Sequence, residues 1–293
     1  MKDKKTKYTN FLEKDYPPPP PEKALFHIIS APYENNISYG KGTSKGPQAI
    51  IAASQYLEIY GEEKEPAKLG IHTKKALKCK GKPEEVLDKI ANQISESIST
   101  NAIPVLLGGE HTVSYGMAKA LYSKYGKNFF IIHFDSHADL RNEYYGNKYS
   151  HACVMRRIHE DFSLDILQIG TRAYCKEEDN YRKENEIKSI DASVIHNSGI
   201  PEKIIPDNFP RKAYISFDVD GLDPSVIPAT GTPEPGGLLW DETIKIIEKI
   251  AASCEIVAFD IVELAPIPKL HYPDYSTAKL TYKLMQESLK SQK

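Results

Sequence analysis

The sequence predicts an α/β protein with a mainly parallel sheet covered by helices on both faces. Two observations carry that expectation. Short apolar runs alternate with helical segments along most of the chain, and the links between them are short. Parallel neighbours need a crossover, usually a helix, and strands covered on both faces read as near-continuous apolar runs.

The elements follow in order. Residues 1–16 are charged and aromatic, and Pro17 to Pro21 read as a stiff polyproline II rod. Together residues 1–24 are expected to form an arm lying on the body or on a neighbouring subunit. Residues 25–29 are the first buried strand, with His27 a core histidine. Pro47 opens a helix over 48–56, at a position where proline is tolerated. Pro83 begins an amphipathic helix over 83–99, with Val86, Leu87, Ile90, Ile94 and Ile98 at helical spacing. Residues 103–107 are a buried strand, followed by a helix over 113–125 and a strand over 128–134. Further strands are expected over 164–169, 187–190, 213–217 and 256–261, with helices over 176–184, 241–252 and 276–289. No repeat and no second-domain linker interrupts this pattern, so residues 25–293 read as one domain.

Bulk properties remove several function classes. Lys+Arg 38 against Asp+Glu 40 leaves a formal net charge of -2, so charge gives no reason to expect nucleic acid or membrane partners. Cys79, Cys153, Cys175 and Cys254 are far apart and form no CxxC pair, as expected of free thiols in a reducing, cytoplasmic setting. The lysine-rich start lacks the apolar stretch of a signal peptide, and no apolar run approaches the ~18–20 residues that span a bilayer.

The chemistry gathers where apolar runs end, which in parallel sheets is where ligands bind. Ile131 and Ile132 lead into His133, Asp135, His137, Asp139 and Arg141. In an extended chain residues two apart point the same way, so this spacing throws polar groups to one side. The run 103–107 ends in Gly108-Gly109-Glu110-His111, and the run 213–217 ends in Asp218-Val219-Asp220-Gly221-Leu222-Asp223-Pro224. A turn accounts well for Asp223 but poorly for Asp218. His111, Asp135, His137, Asp139, Asp218 and Asp220 are therefore the candidate metal ligands. Four crowded carboxylates need compensating positive charge, and two divalent cations supply it. Aspartate and histidine without cysteine favour Mn, Fe, Ni, Co or a catalytic Zn, with Mn the best match to an oxygen-rich set.

These segments, with Ser150-His151-Ala152 and Thr230-Gly231-Thr232-Pro233-Glu234-Pro235-Gly236-Gly237, resemble the motifs of the ureohydrolase family of arginase, agmatinase and formimidoylglutamase. The resemblance spans about residues 25–285 and implies a three-layer α/β/α sandwich. It also implies two Mn2+ per subunit, one held by His111, Asp135, Asp139 and Asp218, the other by Asp135, His137, Asp218 and Asp220. Asp135 and Asp218 would bridge. In such a site water activated by the metals attacks a guanidinium carbon, releasing urea and an amine. Glu263 resembles the family's guanidinium-binding glutamate, and His151 its proton-shuttling histidine. Trimers or hexamers are expected by the same resemblance.

Two departures narrow it. Glu110 stands where many members have Asp. The loop 140–149 carries Arg141, Glu143, Tyr144 and Tyr145 in place of the Asn/Thr/Ser-rich loop with which arginases grip an amino acid. It looks like the branch that hydrolyses agmatine to putrescine and urea, with Glu143 or Glu234 meeting the terminal ammonium. Arg141 would instead suit a carboxylate-bearing substrate such as guanidinobutyrate. Arginase activity, hydrolysis of guanidine itself, a metal-dependent deacetylase and a binding protein without catalysis compete with this expectation. The deacetylase pattern wants paired histidines where this chain has His111-Thr112. The presence of all six ligand positions with His151 and Glu263 argues against loss of catalysis.

Overall fold

Eight strands form one sheet in the order β2-β1-β3-β8-β7-β4-β5-β6, every neighbouring pair parallel. The computed structural model describes residues 9–35, 37–59 and 64–292. The strands are β1 (Phe26–Ala31), β2 (Ile71–Thr73), β3 (Ile103–Gly108), β4 (Phe130–Phe134), β5 (Ile166–Ile169), β6 (Lys188–Ile190), β7 (Lys212–Asp218) and β8 (Glu255–Val262). The helices are α1 (Gly46–Ser54), α2 (Pro83–Ser99), α3 (Ser114–Tyr125), α4 (Val154–Phe162), α5 (Lys176–Glu184), α6 (Ala192–Ser198), α7 (Trp240–Ser253) and α8 (Tyr272–Ser291).

Strand alternation divides the core into two layers. Phe26, Val105, Ile132, Ile215 and Phe259 face α1, α6, α7 and α8, whereas Ile29, Leu106, Ile131, Tyr214 and Ala258 face α2, α3, α4 and Tyr181 of α5. The result is the three-layer α/β/α sandwich expected. A register shift between Ala213 and Tyr214 inserts one extra residue in β8, so Val257 and Ala258 join the same layer.

Differences from the sequence reading are local. The edge strand β2, with three residues, is too short to carry a period. Helices α4 and α6 lie outside the expected elements, because α4 follows directly on the polar loop 140–150 and α6 has only seven residues. Helix α8 begins four residues before 276, with Pro273 tolerated in its first turn. Pro20 is extended (φ -61, ψ 152), but Pro21–Lys23 form a 3-10 turn, which ends the polyproline stretch one residue early. Residues 9–24 lie on the chain's own body. Phe11 and Leu12 are buried, and their N–H groups donate to Thr73 Oγ1 (3.0 Å) and Ser54 Oγ (2.9 Å). His27 is buried, with Nε2 2.8 Å from the Pro21 carbonyl. All four cysteines are free thiols, and among the described residues no helix is long and apolar enough to cross a membrane.

Candidate metal centre and active site

Four adjacent strands, β3, β8, β7 and β4, end at one place. After β3 the chain turns at Gly109, where a Cβ would fall 2.0 Å from the Tyr33 carbonyl oxygen, so only glycine permits the turn that delivers His111. At the ends of β4 and β7 the two-residue ligand spacing has a cause other than strand alternation. Asp135 Oδ1 accepts the His137 N–H (2.6 Å), and Asp218 Oδ1 accepts the Asp220 N–H (2.8 Å). Each aspartate thus closes a tight turn that swings the residue two positions on back beside it. β4 stops at Phe134, and Asp139 reaches the centre through a left-handed backbone (φ 53), not by extension.

His111 Nδ1 lies 3.1 Å from Asp135 Oδ2, 3.2 Å from Asp139 Oδ2 and 3.3 Å from Asp218 Oδ2. It is buried and makes no well-formed hydrogen bond to any of them. His137 Nδ1 lies 3.1 Å from Asp220 Oδ2 and 3.4 Å from Asp135 Oδ1. Asp135 therefore offers one oxygen to each histidine. Two groups of donor atoms that could hold an ion result, His111, His133, Asp135 and Asp139 in one, Asp135, His137 and Asp220 in the other. An orphaned imidazole nitrogen among converging carboxylates fits a cation better than it fits a hydrogen bond.

The protonation of the cluster says the same. Burial pushes the Asp218 carboxyl well above its ordinary range, with Asp220 and Asp135 adding to the effect, and burial beside Asp135 raises Asp139 to about 6. Burial also opposes ionisation of Asp135, but His133, His111 and His137 outweigh it and hold the carboxyl well below normal. The acids compete for too little positive charge.

Under the centre runs a row of polar residues that the sequence does not disclose. Gln168, His133, Ser216 and Asp260 sit side by side on β5, β4, β7 and β8, in register. His133 lies within its strand, yet its Nε2 is 2.8 Å from Asp135 Oδ2 and its Nδ1 3.1 Å from Gln168 Nε2. His111 Nε2 is 2.9 Å from Ser216 Oγ, which in turn is 3.1 Å from Asp260 Oδ1. Tyr214 donates to the other oxygen of Asp260. Such contacts fix a ligand's tautomer and orientation. Only register, not sequence distance, brings these four together.

Glu263 follows β8 with a left-handed backbone (φ 64). Its N–H donates to the Gly109 carbonyl (2.8 Å), and its Oε1 accepts the His111 N–H (2.7 Å). Burial, then the neighbouring Glu110, raise its carboxyl well above normal. Glu110 accepts from Thr112 Oγ1 (2.7 Å) and the Asn35 N–H (2.6 Å), tying this turn to the loop after β1. His151 begins a 3-10 turn before α4, and its Nε2 is 2.7 Å from Ser38 Oγ. His111, His137, Asp139, His151, Asp218, Asp220 and Glu263 all line one cavity of about 340 Å³.

The expected contacts to a substrate tail need revision. Glu143 and Glu234 are not on the cavity wall; the carboxylates there, besides those of the centre, are Glu34, Glu110, Glu178 and Glu263. Arg141 is already engaged. Its Nε is 3.8 Å from buried Glu178, and its guanidinium lies 5.3 Å from the centroid of Tyr144. Glu34, Glu178 and Ser38 carry no signal in the sequence, because each lies far along the chain from the motif it serves.

A three-layer parallel fold with paired Asp/His clusters at its strand ends defines a binuclear metallohydrolase framework, and the arginase family profile matches residues 24–290. The chain belongs to the arginase family, whose members depend on two metals and act on small guanidino compounds. It is 33% identical to the N(1)-aminopropylagmatine ureohydrolase of Synechocystis sp., over 88% of this chain and 87% of that protein. Against the agmatinase of Bacillus subtilis it is 31% identical over 92% of each. The crystal structure of agmatine ureohydrolase of Thermoplasma volcanium superposes with a TM-score of 0.86 at 30% identity, covering 96% of this chain and 94% of that one.

Proposed function

We propose that this chain hydrolyses the guanidinium group of a guanidinoalkylamine, agmatine being the simplest, to urea and the corresponding amine. The observation that carries the reading is the charge of the cavity. Two divalent ions would balance Asp135, Asp139, Asp218 and Asp220, which leaves Glu34, Glu110 and Glu178 against Arg141 alone, beside a Glu263 carboxyl that burial favours neutral until a cation meets it. Such a wall attracts a substrate with a cation at each end. Arg141 faces Glu178 at 3.8 Å, which partly offsets its charge and makes a carboxylate-bearing tail such as that of arginine or guanidinobutyrate the less favoured partner of this wall.

In this reading His111, Asp135, Asp139 and Asp218 would hold one Mn2+, and Asp135, His137, Asp218 and Asp220 the other. Asp135 would serve both ions, since its Oδ2 faces His111 and its Oδ1 faces His137. Asp218 presents Oδ2 to His111 while Oδ1 stays on the Asp220 amide. When bound, the two ions lower the pKa of water so that a nucleophile is present at neutral pH. Glu263, with Oε1 oriented by the His111 amide, accepts guanidinium N–H bonds and fixes the plane of the substrate. His151 protonates the departing amine.

Urea release from a panel of guanidino compounds by Mn-loaded protein tests this. A preference for arginine over agmatine would overturn the tail assignment, and absence of urea from every compound, with both metals bound, would overturn the hydrolase reading. A second substrate, N1-aminopropylagmatine, belongs in the panel because of the name of the Synechocystis relative. The exposed ring of Tyr39 on the cavity wall also favours it, being able to face a further ammonium.

A further inference from the structure

His133 has no part in the ligand scheme, yet it is wholly buried and its Nε2 is 2.8 Å from Asp135 Oδ2. It also stands close enough to His111, Asp135 and Asp139 to share an ion with them. The rings of His111 and His133 lie 5.1 Å apart, tilted by 53°. Whether His133 ligates a metal or donates a hydrogen bond depends on which ring nitrogen carries the proton. Its neighbours in the fold decide that.

The chain of reasoning starts at the Ala138 carbonyl, which can only accept. The end of the Gln168 side chain 2.7 Å from it is therefore the NH2 group. The amide keeps this orientation although its buried Oε1 then has no partner among the described residues. The same nitrogen lies 3.1 Å from His133 Nδ1, and its second N–H points there. A donor facing Nδ1 requires that nitrogen to be bare, so the ring proton sits on Nε2 and is given to Asp135 Oδ2. For Nε2 to ligate a metal, the proton would have to move to Nδ1, where it would meet the Gln168 N–H head on. Ala138 lies between His137 and Asp139, so Gln168 holds the ligand run and orients His133 at once. Gln168 and His133 are fully buried, with no water to relax the arrangement.

We propose that His133 is a hydrogen-bond donor and not a metal ligand, and that Gln168, acting through it, sets Asp135 to serve two ions. This rests on the reading of the centre as a two-metal site. An ionised carboxylate offers about four lone-pair positions, two on each oxygen. His133 occupies one on Oδ2, and the His137 N–H occupies one on Oδ1 at 2.6 Å. One position remains on each oxygen, on Oδ2 beside His111 and on Oδ1 beside His137. The two donors thus hold the carboxylate from both sides and leave it one free position for each ion. Both His133 and Gln168 are positioning residues in this scheme.

The test measures Mn2+ affinity and stoichiometry by competition with a chromophoric chelator, beside the unfolding midpoint of each metal-free protein. The proteins are wild type, His133→Leu, His133→Gln, Gln168→Met and the double variant His133→Leu/Gln168→Met. His133→Leu is expected to weaken binding about 10–100-fold, the usual effect of losing a partner of a ligand, while two ions still bind at saturation. His133→Gln, which keeps an N–H donor near the place of Nε2, restores most of the affinity. Gln168→Met weakens binding alone but adds little in the His133→Leu background, because it acts through His133. Affinity of His133→Leu equal to wild type, or His133→Gln as weak as His133→Leu, overturns the donor role. Losses that add fully in the double variant overturn the part given to Gln168. Should His133→Leu fail to fold, His133→Gln still decides, since a ligand replaced by an amide loses affinity and a donor so replaced does not. Wild-type protein that takes up no Mn2+ would remove the two-metal reading itself, a result distinct from equal binding by wild type and variants.

Discussion

Asp135 and Asp218 each use one oxygen to cap the amide two residues on and turn the other toward His111. Asp135 alone also meets His137, so Asp135→Asn is expected to lose both ions. Of the two histidines Asp220 meets only His137, and Asp220→Asn should retain about one ion per chain, because the His111 group stays intact. Glu263→Gln should keep both ions while kcat falls about 10²–10³-fold, the usual effect of removing one preorganised electrostatic contact. Metal analysis of each variant beside its turnover checks all three, and a Glu263→Gln protein without metal would contradict the role given to it. Asp223 makes a different statement. Burial opposes its ionisation, but hydrogen bonds from Ser225 and the Gly237 and Gly236 amides prevail and hold it at about 2, below the ~3.9 of an unfolded chain. A depressed folded pKa contributes stability above the unfolded value that is lost as pH falls toward the folded one. Asp223→Asn should therefore be less stable than wild type at pH 6, the gap narrowing below about pH 4; urea denaturation at a series of pH values reads this out. Asp135, His137, Asp139, Asp218 and Asp220 are legible in the sequence because each sits within five residues of another in a polar run after an apolar one, whereas His111 stands alone after Gly108-Gly109 and is legible only beside those two motifs. Ser38, Glu178 and Asp260 are not, because a serine in a loop or an acid on a helix looks the same whether or not a distant segment folds onto it.

At the scale of elements, the turns at strand ends carry more of the design than the strands. Gly109 presses on the Tyr33 carbonyl, and Gly221 would place a Cβ 3.0 Å from the Asp135 amide nitrogen, so the ligand-bearing turns are packed backbone to backbone. Gly109→Ala is expected to destabilise the protein by about 1–3 kcal/mol or more, as overpacking does, and to weaken Mn binding by displacing His111. Chemical denaturation and Mn titration of the variant decide it; unchanged values for both would mean the Tyr33 loop yields without cost. Arg172 works in the opposite sense, as a clamp. Its guanidinium donates to the carbonyls of Gly170, Asp220 and Glu234 at 3.0, 2.8 and 2.7 Å, joining the connection after β5 to the one after β7. The seventeen-residue helix α2 is readable from periodicity, and β3 from its unbroken apolar run. Of the unexpected elements, β2 has three residues and α6 seven, and such short elements owe their form to the neighbours they pack on; α4, with nine, is masked by the polar loop it follows.

For the whole molecule, the ligands come from three stretches of chain, 109–111, 133–139 and 216–223, that meet only when four strands are in register. A cation held by all three binds the folded chain and not the unfolded one. Removal of metal by chelation should lower the unfolding free energy by about 2.7 kcal/mol for each ion present at a hundredfold excess over its Kd. A denaturation midpoint indifferent to chelation would indicate that the carboxylates are neutralised by protons instead. The alternation of apolar strands and helices makes the layered architecture predictable. The strand order is not, since it depends on which crossover passes over which face.

The Gly40 N–H donates to the Gly231 carbonyl (3.0 Å), a contact with a consequence in time as well as in space. It joins two stretches of the cavity wall beside Glu263 Oε2, 4.0 Å from where a Gly231 Cβ would be, while the exposed rings of Tyr39 and Tyr174 lie on the same wall. If the guanidinium end lodges against Glu263 as proposed, with the tail toward the exposed tyrosines, the new amine lies between urea and solvent. The amine is then obliged to depart first and urea second. Steady-state product inhibition would register this order: urea competitive with substrate, the amine mixed. The reverse pattern would mean that the glycine clasp opens in every cycle.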